Sequence, residues 1–236
     1  MNHSGSNAYN RTALHFDAGV LPPLLKAHLP HGPLALGDFG CGDGPLFSIL
    51  DRAGYIGPSK PVYAIDLQPQ RLNRVKSRFP YITTQCAPAD DVPIGDGALD
   101  FVISTMVMEH VLDERKYLNE IRRVLRPGGR AFITTVYKKR WAWYFRKRDG
   151  ECVLDTSHIR EYSDIGLFNT LLMENNRFAE LRALEIEPLC FPLIDPVLFR
   201  LAAYFPQLAR PDLTKVLRKV RIRIPGYFSL NVVISR

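Results

Sequence analysis

Leu36-Gly37-Asp38-Phe39-Gly40-Cys41-Gly42-Asp43-Gly44-Pro45-Leu46-Phe47 is the stretch on which the fold turns. It ends an apolar run over residues 34–39 and leads into helix-like text. Glycines at 40, 42 and 44 let the chain bend tightly and bring its backbone close to a ligand with no Cβ in the way. The free N–H groups of a helix start then face that ligand. Asp38, two residues before the first glycine, suits a cationic ammonium better than a phosphate. A second acid, Asp66, ends the apolar run over residues 61–66, 26 residues after Gly40. A carboxylate there can accept both hydroxyls of a ribose, as in open α/β sheets that bind ligands at the carboxyl ends of their strands. A dinucleotide fingerprint would need Gly-x-Gly-x-x-Gly. Its third glycine would fall on Pro45, and an acid at 38 has no role beside a pyrophosphate, so both features argue against a nicotinamide enzyme.

Outward from this bend, strand-like and helix-like text alternate without an internal repeat. Apolar runs over residues 34–39, 61–66, 81–86, 100–105 and 131–136 read as buried strands, and residues 70–78 and 115–125 read as helices. In the second helix Tyr117, Leu118, Ile121, Val124 and Leu125 share one face, with Arg115, Lys116, Glu120, Arg122 and Arg123 outside. Pro127-Gly128-Gly129 stops that helix and turns into the next strand. Such alternation with short connections predicts right-handed crossovers and a doubly wound, mostly parallel α/β sheet covered on both faces. Residues 178–189 and 227–236 read as two further strands, the last antiparallel. The expectation is one domain over residues 1–236. It comprises a helical lead-in (1–33), a cofactor-binding core (34–137), a substrate or lid region (138–226) and a final strand (227–236).

With these motifs in place, the chain resembles the class I S-adenosylmethionine-dependent methyltransferases, in particular the small-molecule group with a Leu-Glu-His-type motif. Residues 38–44 match that family's glycine loop, Asp66 its ribose acid and Leu67 the adjoining adenine-stacking position. Ala89-Asp90-Asp91-Val92-Pro93-Ile94 and Asp96-Gly97-Ala98-Leu99-Asp100 look like the segment before the fourth strand. Met108-Glu109-His110-Val111 and residues 124–130 are similar to the stretch around the helix before the fifth strand, and residues 158–163 to a further common segment. The resemblance implies a seven-stranded Rossmann-like methyltransferase fold and S-adenosylmethionine as cofactor. The cofactor-binding residues it implies are Asp38, Gly40, Cys41, Gly42, Gly44, Asp66, Leu67, Ala89, Asp90 and Met106. The family's usual acid before the alanine of the adenine segment is replaced by Pro88, which leaves Asp90, Asp91, or backbone and stacking to hold the base. Tyr9, in a stretch similar to the family's lead-in helix, is a candidate to cover the cofactor.

Methyl transfer is an in-line displacement on an already activated leaving group, so alignment of donor and acceptor supplies much of the rate. A base is needed only where the acceptor must lose a proton. His110 ranks first for that role and His158 second, while Glu109 reads as a brace. The alternative to an enzyme is a cofactor-binding protein without turnover that acts through its basic surface.

The acceptor is read from charge and composition. The 236 residues carry a net charge of +7, with 46% hydrophobic and 23% charged residues, values that exclude a disordered or fibrous chain. Residues 1–137 are nearly balanced, so the excess lies in residues 138–236. There Lys138-Lys139-Arg140-Trp141-Ala142-Trp143-Tyr144-Phe145-Arg146-Lys147-Arg148 combines six basic and four aromatic residues. It reads either as a solvated helix pinned by its tryptophans or as a cationic, aromatic surface. The proline-broken apolar residues 189–206 and the basic Lys215, Arg218, Lys219, Arg221 and Arg223 extend that theme. The expected partner is therefore a small-molecule acceptor, anionic or lipid-linked, with membrane-surface contact through residues 138–148. After the fourth strand the chain reads Ser104-Thr105-Met106-Val107-Met108, without the Asn/Asp-Pro-Pro-aromatic run of amino methyltransferases of nucleic acids, so nucleic acid is disfavoured. Four cysteines without a CxxC pair suggest neither a zinc site nor a disulfide framework, and no metal is expected. With no secretory signal or membrane span in the sequence, the expected location is the cytoplasm, peripheral to the membrane.

Overall fold

The computed structural model describes residues 20–144, 146–192 and 221–236. A short helix, α1 (Pro23–His28), precedes β1 (Leu36–Phe39), α2 (Phe47–Arg52), β2 (Val62–Asp66), α3 (Pro69–Arg78) and β3 (Thr83–Cys86). Then follow β4 (Leu99–Thr105), α4 (Glu114–Val124) and the long β5 (Leu125–Lys138). The two-residue strands β6 (Lys147–Arg148) and β7 (Glu151–Cys152) form a small hairpin. A further helix, α5 (Ile165–Thr170), runs into a short π-helix (Leu171–Asn175), before β8 (Glu180–Pro192) and β9 (Arg221–Ser235). Seven strands make one sheet in the order β3-β2-β1-β4-β5-β9-β8. The first five pair in parallel. β9 inserts antiparallel between β5 and β8, so both C-terminal strands are antiparallel to their neighbours.

Alternating side chains explain why both sheet faces are covered. Phe101, Ile103 and Phe132 join one apolar layer with Leu36, Phe47, Leu50 and Leu25. Val102, Ala131 and Ile133 join the other with Tyr117, Leu118, Ile121 and Val124 of α4. Each fully buried Val, Leu, Ile or Phe among them contributes roughly 1.5–3 kcal/mol. The inward face expected for residues 115–125 is the face observed, and all four of those α4 residues are fully buried. The helix starts slightly earlier than its apolar pattern because Asp113 caps it, accepting from the N–H groups of Arg115 (2.9 Å) and Lys116 (3.0 Å).

Three expectations are corrected. Pro127-Gly128-Gly129 does end α4, but the turn lies inside β5. The register jumps from Leu99↔Leu125 to Phe101↔Arg130, leaving a bulge with Gly128 at φ 75°. Arg236 closes it, its carbonyl accepting from the Gly128 N–H (3.0 Å) and its own N–H donating to the Gly129 carbonyl (3.0 Å). The run at 81–86 is not a buried strand: β3 spans Thr83–Cys86 at the sheet edge with partly exposed residues, since only one neighbour covers it. Residues 138–148 are not a helix pinned by tryptophans. Among the described residues this segment holds no helix: it leaves β5, turns at Arg140-Trp141 with the Ala142 N–H donating to the Lys139 carbonyl (2.9 Å), and Trp141 and Trp143 are 66% and 61% exposed. Its backbone follows the start of β9 instead, where the Lys139 N–H donates to the Gly226 carbonyl (2.9 Å) and the Trp143 N–H to that of Pro225 (3.1 Å). Tyr9, residues 193–206 and Lys215, Arg218 and Lys219 lie outside the described residues.

Candidate functional site

The chain moves from β1 to β2 and β3 on one side, then crosses back to β4 on the other. Such a reversal, beyond the carboxyl ends of β1 and β4, is the usual ligand position in open α/β sheets. The Ser104 hydroxyl donates to the Phe39 carbonyl (2.8 Å) and ties the two strands together at this edge.

Asp38 lies here near the end of β1, 2% exposed, with Oδ1 buried and unpartnered. Burial, with a smaller push from the nearby Asp66 carboxylate, raises its pKa to about 7. The bend that follows is held from β2: the N–H groups of Gly40 (2.8 Å) and Cys41 (2.9 Å) both donate to the Ile65 carbonyl. Asp66 organises the same bend, with Oδ2 accepting from the Gly42 N–H (2.9 Å) and Oδ1 from the Gln68 N–H (2.8 Å). Each of these oxygens keeps a further lone pair for a ligand. Gly40 and Gly42 take left-handed φ of 75° and 57°. A Cβ on Gly40 would lie 2.3 Å from Val107 Cγ2, whereas one on Gly42 would meet nothing closer than Arg71 Nη1 at 3.6 Å. The Cys41 side chain is buried, which holds its thiol well above the usual range.

Leu67 is 65% exposed directly after Asp66, and the Cys86 thiol at the end of β3 contacts its carbonyl (3.7 Å). Ala89 is buried. Asp90 turns toward Lys116 (3.5 Å) and Asp91 is exposed. Met106 follows β4 with a positive φ of 55°, unusual for a side chain of its size, and its N–H donates to the Thr134 carbonyl (3.0 Å).

Beyond Met106 the chain enters a second cluster. Glu109 is fully buried, with Oε2 accepting from the Thr135 hydroxyl (2.9 Å) and Oε1 unpartnered. Its burial raises the carboxyl pKa to about 6. His110 is exposed and packs edge-on against the buried His158, ring centroids 4.8 Å apart. Burial of the ring first, and His158 second, hold His110 toward its neutral form. His158 is enclosed, with Nδ1 2.8 Å from Glu161 Oε1. The fully buried Tyr117 lies within electrostatic reach of both Asp38 and Glu109, so the two clusters share one end of the sheet. Sequence spacing does not reveal the pairing of His110 with His158, because 48 residues separate them. The link is made by the Ile159 N–H on the Glu109 carbonyl (2.8 Å) and the Arg160 guanidinium on the carbonyls of Met108 (3.2 Å) and Leu112 (2.8 Å).

Residues 37–133 match the family model described as a methyltransferase domain. A probable S-adenosylmethionine-dependent methyltransferase of Mycobacterium tuberculosis is 28% identical over 96 residues, 41% of this chain and 33% of that protein. The chain spans between 27% and 55% of the length of the curated relatives compared with it, such as a protein of Streptomyces fradiae at the low end and one of Mycobacterium bovis at the high end. An S-adenosylmethionine-dependent methyltransferase from Mesorhizobium loti superposes with a TM-score of 0.56 at 22% identity, covering 91% of this chain and 96% of that one. Geranyl diphosphate C-methyltransferase from Streptomyces coelicolor, solved with Mg²⁺, geranyl diphosphate and S-adenosyl-L-homocysteine, gives 0.56 at 16% identity, covering 90% and 77%. The glycine bend after β1 lies in the stretch that matches the methyltransferase domain, and the doubly wound sheet with its antiparallel final strands is the fold of the solved S-adenosylmethionine-dependent methyltransferases that it resembles.

Proposed function

We propose that the protein transfers a methyl group from S-adenosylmethionine to a small-molecule acceptor. The observation that carries this reading is Asp38: a buried carboxylate with an orphaned oxygen, set beside a bend of positive-φ glycines. A buried, unpaired acid is costly unless a cation meets it, and the cofactor's ammonium is such a cation. Asp66 would take the ribose hydroxyls and Leu67 an adenine face, while Met106 and Ala89 line the remainder. Asp90, drawn toward Lys116, would serve the adenine through the backbone of its loop.

The cofactor supplies an activated methyl group on a sulfonium. The chain's own contribution is to fix the donor, exclude water from the crevice and orient the acceptor, for which positioning supplies up to ~7–11 kcal/mol. His110, neutral and exposed beyond β4, is placed to accept a proton where the acceptor must lose one. Calorimetry with S-adenosylhomocysteine tests the binding step: saturable binding is expected, weakened by about 1–3 kcal/mol in Asp66→Ala as charge-assisted hydrogen bonds are lost. Equal affinity in wild type and Asp66→Ala would remove the site assignment. Release of methyl label onto small molecules of an extract then separates an enzyme from a binder without turnover.

For the acceptor, the reading is a molecule apolar in part and anionic in part, met at a membrane surface. Supporting it are the two exposed tryptophans within a run of six basic residues, and a fold relative that was solved with geranyl diphosphate. No helix among the described residues is long and apolar enough to cross a membrane, so contact would be peripheral. Co-sedimentation with anionic vesicles is expected at low salt and should fall at high salt as charges are screened. Trp141→Ala combined with Trp143→Ala should weaken it further. Absence of binding to anionic vesicles at low salt would discard membrane contact and leave a soluble acceptor.

A further inference from the structure

We propose that Glu109, His110 and His158 form a binding site for one divalent transition-metal cation of the zinc type. The three residues each offer a ligand atom, and these atoms lie within 4.8 Å of one another. Two imidazoles and one carboxylate are a donor set suited to Zn²⁺ and its neighbours, whereas Mg²⁺ and Ca²⁺ prefer oxygen throughout. The independent sign of a missing ligand is Glu109 Oε1. That carboxylate is fully buried, its Oε2 is already held by Thr135, and Oε1 has no partner. Burying an unpaired carboxylate oxygen costs free energy that a cation would return.

The surroundings match what metal sites require beyond their ligands. His158 Nδ1 is held by Glu161 (2.8 Å), which leaves Nε2 as the nitrogen able to give a lone pair. A carboxylate behind a histidine fixes the ring and its tautomer in this way in metal sites generally. Glu161 is itself anchored, accepting from the Leu154 N–H (2.8 Å) and lying 3.6 Å from Lys138 Nζ. The Ile159 N–H bond to the Glu109 carbonyl holds the two halves in register. His110, the exposed member, gives the cation its way in, and its Nδ1 lies 3.4 Å from the Ser157 carbonyl, which leaves Nε2 for the metal. Ligand bonds of ~2.0–2.1 Å hold donors closer than the 4.8 Å span, so the three side chains draw together on loading. With the cation bound, His110 gives its lone pair to the metal and takes no proton. The site does not depend on methyl transfer.

The test is calorimetry of the full chain, stripped with a chelator, titrated with Zn²⁺ at neutral pH. One ion per chain is expected, with at least a ~10-fold loss of affinity in His110→Ala. His110 is exposed, so this variant should melt within a few degrees of wild type in chelator. Should it melt early, Glu109→Gln, which keeps an acceptor for the Thr135 hydroxyl, decides by the same threshold. Zinc binding should also raise the wild-type melting temperature in proportion to the logarithm of its concentration. No saturable binding, or an affinity changed less than 10-fold in the deciding variant, overturns the site. S-adenosylhomocysteine titrated into the same sample keeps the two readings apart: zinc lost with nucleoside bound sinks only the metal site, and the reverse sinks only the methyltransferase reading.

Discussion

Gly42→Val loses S-adenosylhomocysteine binding by at least ~100-fold, about 2.7 kcal/mol, while the protein still unfolds cooperatively. A notional Cβ at 42 meets no atom closer than 3.6 Å, so the valine stands in the open space before the bend rather than in the core. The cost to the fold is the left-handed φ of 57°, about 1–2 kcal/mol for a residue with a side chain. For a chain of this length that lowers the melting temperature by about 2–8 °C. Gly40→Val is the contrasting case, because its Cβ would stand 2.3 Å from Val107 Cγ2. There the segment leaving β4 must move, and the loss appears in the melting temperature as well as in binding. Calorimetry and thermal melts on both variants check the pair. Nucleoside affinity unchanged in Gly42→Val would place the ligand elsewhere.

The second large effect is a pH dependence carried by Asp38. Its pKa of about 7 in the folded chain lies well above the 3.8 of an ordinary aspartate. Below about pH 4 the group is protonated in both states and contributes no difference. Between pH 4 and 7 the unfolded chain releases the proton and the folded chain keeps it, so stability falls as pH rises. At 1.36 kcal/mol for each unit, the full penalty is about 4 kcal/mol above pH 7. Asp100, Glu120 and Asp155 have lowered pKa values and slope the opposite way, while Glu109, raised to about 6, slopes the same way. The readout is therefore the difference between wild type and Asp38→Asn: the variant gains relative stability as pH rises through this window. Binding carries the mirror image. A ligand ammonium requires the ionised acid, so S-adenosylhomocysteine affinity should rise up to ~10-fold per pH unit below 7 and level off above it. In Asp38→Asn the profile should be flat across that range. A flat wild-type profile would separate Asp38 from the ligand.

Much of this was legible before any coordinates because the relevant interactions are local. A glycine at 40, 42 or 44 marks the backbone that must bend, and an acid at the end of a strand marks the crevice, since strand, bend and helix are contiguous in sequence. The inward face of α4 could be read from its period, as could the antiparallel last strand from the change of pattern after β5. The edge position of β3 could not, because an apolar run looks alike whether one neighbour or two will cover it. Nor could the shape of residues 138–148, whose composition suits a helix face and an extended surface equally well. What decided it was the backbone of Pro225 and Gly226, some eighty residues on, offering carbonyls to Lys139 and Trp143.

The sequence by itself determined the sheet class, the bend after β1 and the two acids beside it, since each depends on neighbours a few residues apart. Only the tertiary structure decided that Asp38 is buried with an empty oxygen, that Asp66 is already shared between Gly42 and Gln68, and that Glu109, His110 and His158 converge. Charge state, burial and ligand geometry depend on which distant segments exclude water from a group, and that is settled only when the chain has closed around it.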